Sequence, residues 1–570
     1  MKKSDSNQRL VGFYSKSLAV AMCCIAFGTT LSPAARAQNA ETGKAPAPAP
    51  AVATSTAGPA VSVSSGPPMP TGPSIADAVR LYRAGDYEKS SSEYREVIAA
   101  NPNSPVAYAG LARVFVKQAK LAEALAAANK SVELAPTNPL GHIALGEVYF
   151  RTGKISEAEA EFVPIIKSGQ AYPRAYLGEA RVSRASSFYK QAKRMIDVAH
   201  NLDPLDPDIS SFWFTEQSLA DRIKAIKDEL ADPANSDPKK KAELEESLAV
   251  LNDAESRHGS CQLVSNVSAI EIPFVMLLND PNTYRAVGLK VDLNGTSANL
   301  LLDTGSTGIL VGRRVAEKAG VTKVASTSIS GIGDRGDQSG YVGHADSIRV
   351  GGLEFRDCYV EVSDKKTTVD DDGLLGADLF HHFLVDLDFS GRKFRLTELP
   401  ARPDENPQAS ASDSKAAPQL HDRYIAPEMK SYTPVYRFGH SLLIPTRLND
   451  QLTSLFLIDS GSTFNMMSPA AAREVTKVGS DSMTTIKGLN GNVKNVYRAD
   501  QATLTFGHLK QQNQDITAFD TSSISNSVGT EVSGILGFST LGLLDVKIDY
   551  RDGLVDFTFD SQKWCQGKCR

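Results

Sequence analysis

Hydrophobic and polar positions divide the 570-residue chain into three textures. From about residue 74 to 206, apolar residues recur at helical spacing in Ala-rich segments such as Val106 to Ala119 and Leu121 to Glu133. The turn Gly85-Asp86-Tyr87 returns as Ala119-Lys120-Leu121 and as Gly153-Lys154-Ile155, each 34 residues after the last. Pro102, Pro136 and Pro204 keep the same step; where a member is missing, at Gln170, the proline is displaced to Pro173. Residues 215 to 257 read as one or two polar helices broken near Pro233 and Pro238, their charges a solvated face. Beyond Cys261 the pattern becomes strand-like alternation with Gly and Asn turns, as far as about residue 560. A polar Pro/Ala/Ser segment around 401 to 420 cuts this region into two pieces of similar size.

A 34-residue helix-turn-helix period carried by two independent markers resembles the tetratricopeptide repeat family, as three repeats and a weaker fourth. The resemblance implies an α-solenoid in which each helix pair buries its apolar face on the next and leaves a concave surface. That surface suits docking of a peptide or protein partner; the plainer alternative is a spacer.

The two β pieces repeat each other. Asn299 to Leu302 run into Asp303-Thr304-Gly305-Ser306-Thr307, and Leu455 to Ile458 into Asp459-Ser460-Gly461-Ser462-Thr463. A short helix follows each, Arg313 to Ala319 and Pro469 to Val475. A Gly-rich hairpin comes next, Ser330-Gly331-Ile332-Gly333 and Lys487-Gly488-Leu489-Asn490-Gly491, then Tyr341 and Tyr497. Each copy closes on an apolar-apolar-Gly element, Gly373-Leu374-Leu375-Gly376 and Gly534-Ile535-Leu536-Gly537.

Two Asp-Thr/Ser-Gly motifs, each with such a partner, resemble the aspartic peptidase clan, and the short lobes are closest in style to retropepsin-like bacterial aspartyl proteases. The similarity covers about residues 285 to 398 and 433 to 558. It implies a bilobal all-β fold in which Asp303 and Asp459 face each other across a pseudo-two-fold axis. Two carboxylates that close cannot both ionise, so one donates to the substrate oxygen while the other takes a proton from the attacking water. Gly305 and Gly461 permit the tight turn. By the same resemblance, Thr304 and Ser460 interlock the two loops, and Ser306 and Ser462 hydrogen-bond the outer carboxylate oxygens. Gly376 and Gly537 belong to elements that pack beneath the loops.

Residues 328 to 343, with Gly331 and Gly333, suit a mobile flap over substrate. Tyr341 is a candidate flap tyrosine or an ordinary strand residue, and one lobe or both could supply a flap. Asp370-Asp371-Asp372 reads as a solvated loop, and His381-His382 as residues straddling a strand rather than metal ligands. No cofactor or metal is called for: His-Glu-x-x-His, Gly-x-Ser-x-Gly and phosphate-cradling loops are all missing.

Composition and the ends set the context. Net charge is −5 with both signs interspersed, which excludes a basic nucleic-acid face. Lys2, Lys3, Arg9 and Lys16 precede an apolar run from Leu18 to Leu31 and a small-x-small site at Ala35-Arg36-Ala37, so residues 1–37 read as a signal peptide. The run is too short to span a ~30 Å core comfortably. It continues past Cys23 and Cys24, which suits an ordinary signal better than a lipid anchor. Periplasmic or secreted location follows, without stable membrane insertion. Residues 38–73, dominated by Ala, Pro, Ser and Thr, form a linker.

The expected order is then solenoid 74–210, helical connector 211–262, lobe 1 over 263–400, inter-lobe linker 401–430, lobe 2 over 431–560, and a Cys-containing tail 561–570. Export permits disulfides: the tail cysteines Cys565 and Cys569 could pair with Cys261 or Cys358, or the cysteines could be free or locally paired. The expected activity is endopeptidase hydrolysis, with the repeats docking substrate or partner. The alternatives are a non-catalytic scaffold on dead lobes, or a precursor matured by cutting at 401 to 420.

Overall fold

The computed structural model describes residues 73–232, 237–257, 261–280, 283–364, 372–403 and 420–560. The signal peptide, almost all of the 38–73 linker, Asp370, Asp371, residues 404–419 and the tail with Cys565 and Cys569 lie outside them.

The chain opens as a helical solenoid: α1 (Ile75–Arg83), α2 (Tyr87–Ala100), α3 (Pro105–Lys117), α4 (Leu121–Leu134), α5 (Pro139–Arg151), α6 (Ile155–Lys167), α7 (Pro173–Ala185) and α8 (Tyr189–Leu202). Pro105, Pro139 and Pro173, with Pro207 of α9 (Pro207–Thr215), open every second helix, where a missing N–H removes no helical bond. Ser104, Asn138 and Asp206 cap three of these ends with side-chain oxygens. Pro173 is thus in register as a helix opener, not displaced; Pro102, Pro136 and Pro204 belong to the preceding turns. Between the helices of each pair, Gly85, Ala119, Gly153 and Ser187 adopt left-handed φ of 78°, 56°, 79° and 62°. The turn marker therefore has a fourth copy at Ser187. Packing is tight: Phe162 is fully buried between Gly146 and Gly178, where a β-carbon would meet its ring at 2.6 and 2.4 Å.

Helices α10 (Leu219–Ala231) and α11 (Pro238–Ser256) follow, and Pro238 starts a helix rather than breaking one. Helix α11 lies on the first lobe, where Asp253 accepts a 2.7 Å bond from the Tyr359 hydroxyl.

The first lobe holds β1 (Gln262–Leu263), β2 (Ala269–Pro273), β3 (Val275–Asp280), β4 (Thr283–Leu293), β5 (Thr296–Asp303), β6 (Ile309–Gly312), β7 (Thr322–Ile329), β8 (Gln338–Val350), β9 (Leu353–Ser363), β10 (Gly373–Gly376), β11 (Phe383–Asp388) and β12 (Lys393–Glu398). The second holds β13 (Thr433–Pro434), β14 (Tyr436–Phe438), β15 (Ser441–Leu448), β16 (Leu452–Ile458), β17 (Met466–Met467), β18 (Val478–Ser480), β19 (Lys487–Gly488), β20 (Gly491–Asn492), β21 (Val496–Phe506), β22 (Leu509–Phe519), β23 (Gly534–Leu536), β24 (Leu544–Asp549) and β25 (Leu554–Phe559).

The pairings match strand for strand. Parallel β5–β10 and β6–β9 in one lobe correspond to parallel β16–β23 and β17–β22 in the other. The antiparallel β10–β6 likewise corresponds to β23–β17. A six-stranded sheet, β13-β25-β24-β11-β12-β2, joins the lobes through the antiparallel pair β11–β24. One apolar core runs through both lobes and this sheet, from Leu289 and Leu302 to Ile458 and Phe557.

The cysteine expectation is corrected in part: Cys261 and Cys358 are disulfide-bonded to each other, fastening β1 to β9. The described part of the 401–430 segment is held down. Arg423 donates to the carbonyls of Asp552 and Val435, and Asp422 accepts from Gln191 of the solenoid at 2.9 Å.

The solenoid packs directly on lobe 2. Ile143, Ile155 and Phe162 share one buried cluster with Leu443, Leu455, Leu457 and Ile535. Thr530 donates to the Phe150 carbonyl at 2.6 Å, and Glu531 N–H to the Arg151 carbonyl at 3.0 Å. Among the described residues, no helix is long and apolar enough to cross a membrane.

Candidate active site

The C-terminal halves of β5 and β16, Leu300 to Leu302 and Leu455 to Ile458, are apolar because both their faces are covered, and each releases its chain into a turn at the boundary between lobes. Asp303 ends β5, and Asp459 follows β16, its N–H bonded to the Leu536 carbonyl at 3.0 Å. The two turns are tied crosswise. Thr304 donates through its hydroxyl to the Ile458 carbonyl (2.8 Å), and Ser460 through its own to the Leu302 carbonyl (2.8 Å). Each hydroxyl also accepts the other residue's backbone N–H, at 3.1 and 3.0 Å. All four bonds are buried, so they hold the turns against competition from water.

This lattice brings the carboxyl groups of Asp303 and Asp459 into hydrogen-bond contact. Gly305 N–H donates to Asp303 at 2.7 Å, while Gly461 and Ser462 N–H donate to Asp459 at 2.9 and 3.0 Å. The glycines also fill the gap between lobes: a β-carbon on Gly305 would lie 2.8 Å from Asp459 Cγ, and one on Gly461 2.6 Å from Asp303 Cγ. Burial and the Asp459 charge push the Asp303 carboxyl well above the usual carboxylate range, and burial raises Asp459 as well. A pair so placed titrates as a unit that holds one proton over a wide range of pH.

Two sequence expectations need correction here. The Ser462 hydroxyl does not reach the carboxylate; it donates to the Phe464 carbonyl at 3.0 Å, and the residue serves Asp459 through its N–H. Ser306 likewise reaches Asp303 through its backbone. Short turns aim amides inward more readily than side chains.

Gly376 and Gly537 do lie against the loops. Gly376 N–H bonds the Gly308 carbonyl at 2.7 Å, and a β-carbon on Gly537 would lie 2.2 Å from the Phe464 carbonyl oxygen. Sequence reasoning missed the braces beside them. Asp378 accepts from the Thr307 hydroxyl (2.7 Å) and Gly308 N–H (3.0 Å). In lobe 2 Asn465 accepts from Gly537 N–H at 3.0 Å. His440 reaches from lobe 2 to the backbone of Gly305, and burial pushes its imidazole down. The signal for Asp378 was a lone acid directly after Leu374-Leu375-Gly376-Ala377.

The glycine-rich turns of the two lobes meet each other. Asn490 N–H donates to the Ile332 carbonyl at 2.8 Å, Arg335 N–H to the Asn490 carbonyl at 3.1 Å, and the Gln338 amide to the Leu489 carbonyl at 2.6 Å. Gly333, at φ 134°, has no room for a β-carbon, which would lie 2.3 Å from the Asn490 carbonyl carbon. A β-carbon on Gly331 would lie 2.7 Å from Leu489 Cβ. Both lobes therefore contribute a glycine-rich turn. Tyr341 is not at its tip: it sits inside β8, opposite Ser326 and Val362, with Lys323 over its ring.

His381 and His382 lie side by side, their rings tilted by 38°, in the turn ahead of β11 instead of straddling a strand, and burial lowers both imidazoles. Asp372 pins its loop, accepting from Asn299 N–H and Arg314 at 3.0 Å each.

An aspartyl protease family model matches residues 289–379 and 444–540, one match around each aspartate. A tetratricopeptide repeat model matches residues 76–139. No curated protein matches the chain.

Proposed function

We propose that this chain, which joins tetratricopeptide repeats to an aspartyl protease region, is an endopeptidase hydrolysing peptide bonds between Asp303 and Asp459. The observation that carries the reading is the contact of their carboxyl groups, held by the Thr304–Ser460 lattice. One proton on the pair lets one carboxyl donate to the scissile carbonyl oxygen while the other, ionised, takes a proton from the attacking water. The backbone N–H groups of Gly305, Gly461 and Ser462 steady the ionised form. An extended peptide would lie between the lobes after the paired glycine-rich turns around Gly333 and Asn490 part, and would bind backbone to backbone.

The solenoid serves as a fixed docking platform for protein substrate or partner, since it is packed on lobe 2 rather than tethered beside it. Its concave surface would raise the local concentration of what it holds. The Cys261–Cys358 disulfide and the N-terminal charge and hydropathy pattern support an exported, oxidising location.

Cleavage of a fluorogenic peptide library between pH 3 and 8, by the parent and by Asp303→Asn and Asp459→Asn, tests this reading. Activity in the parent that both substitutions abolish is the expected result. A folded parent that cleaves nothing would sink it in favour of a scaffold.

A further inference from the structure

The face of lobe 1 that carries the Asp303 carboxylate continues across the sheet. Residues two apart on a strand share a face, so Leu301 points to the same side as Asp303. Ladder partners share a face as well, and from Leu301 the register leads to Leu374 on β10, Leu310 on β6, Glu361 on β9 and Val342 on β8. The other face of these strands, with Leu300, Leu302, Leu375 and Val360, is the main core. One row thus runs from beside the dyad to Glu361, three strand spacings, about 14 Å, from Leu301. An extended peptide advances roughly 3.3 Å per residue. A long side chain a few positions from the scissile bond spans that distance.

Glu361 is the one acid in this otherwise apolar row. Among the described residues nothing neutralises it: its ladder partners are Leu310 and Val342, and burial alone displaces its titration. Two cations of lobe 1 are engaged elsewhere, Arg313 with Asp364 and Lys323 over the Tyr341 ring. Its surface is only part-covered, yet protein crowds it enough to push the carboxyl up to about 7. Leu301, packed with Leu277 and Ala286, and Leu310 are buried between it and Asp303, so Glu361 is the polar position at the part-exposed end of this row. Lobe 2 has Thr517 at the matching place, paired with Met466 as Glu361 is with Leu310. The two lobes therefore differ in charge at this place, and in lobe 2 the row's Leu457, Ile535 and Met466 belong to the cluster shared with the solenoid.

A carboxylate held away from water without a partner is costly, and a cation brought to it recovers much of that cost. We propose that Glu361 determines specificity by receiving the ammonium or guanidinium of a lysine or arginine side chain, on the lobe 1 side of the scissile bond. This inference rests on the peptidase reading above.

The test uses the full-length protein and internally quenched peptides carrying Lys, Arg, Met or Glu at each position in turn. Lys and Arg should exceed Met at one position, on one side of the cut, by roughly 10- to 100-fold in kcat/KM, the range of a hydrogen bond to a charged group. Glu361→Gln should collapse that Lys-to-Met ratio towards one. Glu361→Met serves the same purpose if the amide unfolds the lobe. An active parent without a basic preference, or a variant that retains it, overturns the proposal. A parent that cleaves nothing fails the peptidase reading separately, and calorimetric titration with the same Lys and Met peptides then decides. Tighter Lys binding that Glu361→Gln abolishes upholds the subsite; equal or absent binding overturns it.

Discussion

Gly461 lies against the carboxyl group of Asp303 across the lobe boundary, where a β-carbon would come within 2.6 Å of Asp303 Cγ. Gly305 stands in the same relation to Asp459. Each motif glycine thus makes room for the opposite lobe's acid. Gly461→Ala should push Asp303 from its place and lower kcat about 100-fold, the scale of an ångström misplacement at a reacting group. Thermal melting checks that the fold survives, and near-parental turnover would refute the relationship.

The crossed hydroxyls predict a stability effect. Ser460→Ala removes a donor to the Leu302 carbonyl and an acceptor for Thr304 N–H, both buried. The loss should be about 2 kcal/mol in urea unfolding of the β region. Ser460→Thr, which keeps the hydroxyl, should restore most of it.

A second pair of acids meets in the inter-lobe sheet. Burial, then the hydrogen bond and charge of Asp545, push the Asp386 carboxyl up to about 7. A carboxyl raised in the folded state contributes its full stability below the unfolded value near 4 and loses it as pH rises through about 7. The melting temperature should therefore fall between about pH 4 and 7. Asp386→Asn should flatten that fall and melt above the parent at pH 8. A profile identical to the parent's would contradict the shared proton.

The Cys261–Cys358 bridge spans 97 residues of sequence. Replacing both cysteines by alanine should cost about 2–5 kcal/mol. Chemical denaturation of the parent with and without reductant should show the same difference.

Removal of the solenoid should damage the β region. Leu443, Leu455, Leu457 and Ile535 are covered in part by Ile143, Ile155 and Phe162, and deletion of 73–206 would open that patch. The shortened chain should bind an apolar dye and self-associate. A monodisperse product with parental melting would mean that the contact is dispensable.

Much was legible in the chain itself because it is written at short range. The 34-residue step reports helix openers such as Pro139 and turns such as Gly153, whose conformations depend on neighbours only a few residues away. The duplication is equally local, since apolar strand, acid, hydroxyl and glycine follow one another in both copies. Sequence alone therefore determined the helical repeat, the doubled β unit and Asp303 and Asp459 as its centre.

What it could not carry is closeness between residues far apart in number. The fourth turn was hidden because Ser187 adopts a left-handed conformation that glycine usually marks. Ser462 carries the expected hydroxyl, but the turn aims its N–H at Asp459 instead. The Asn490–Ile332 contact, the seat of the solenoid on Leu455 and the Cys261–Cys358 pair each join segments far apart in sequence that meet only in the folded chain. Glu361 shows the reason most directly. Strand alternation places it between Val360 and Val362 as one more outward position. Only the ladder through residues 301, 374, 310 and 361 sets it in the row that starts beside Asp303. Parallel pairing brings together residues about 50 to 75 apart in sequence, and no local periodicity encodes that register.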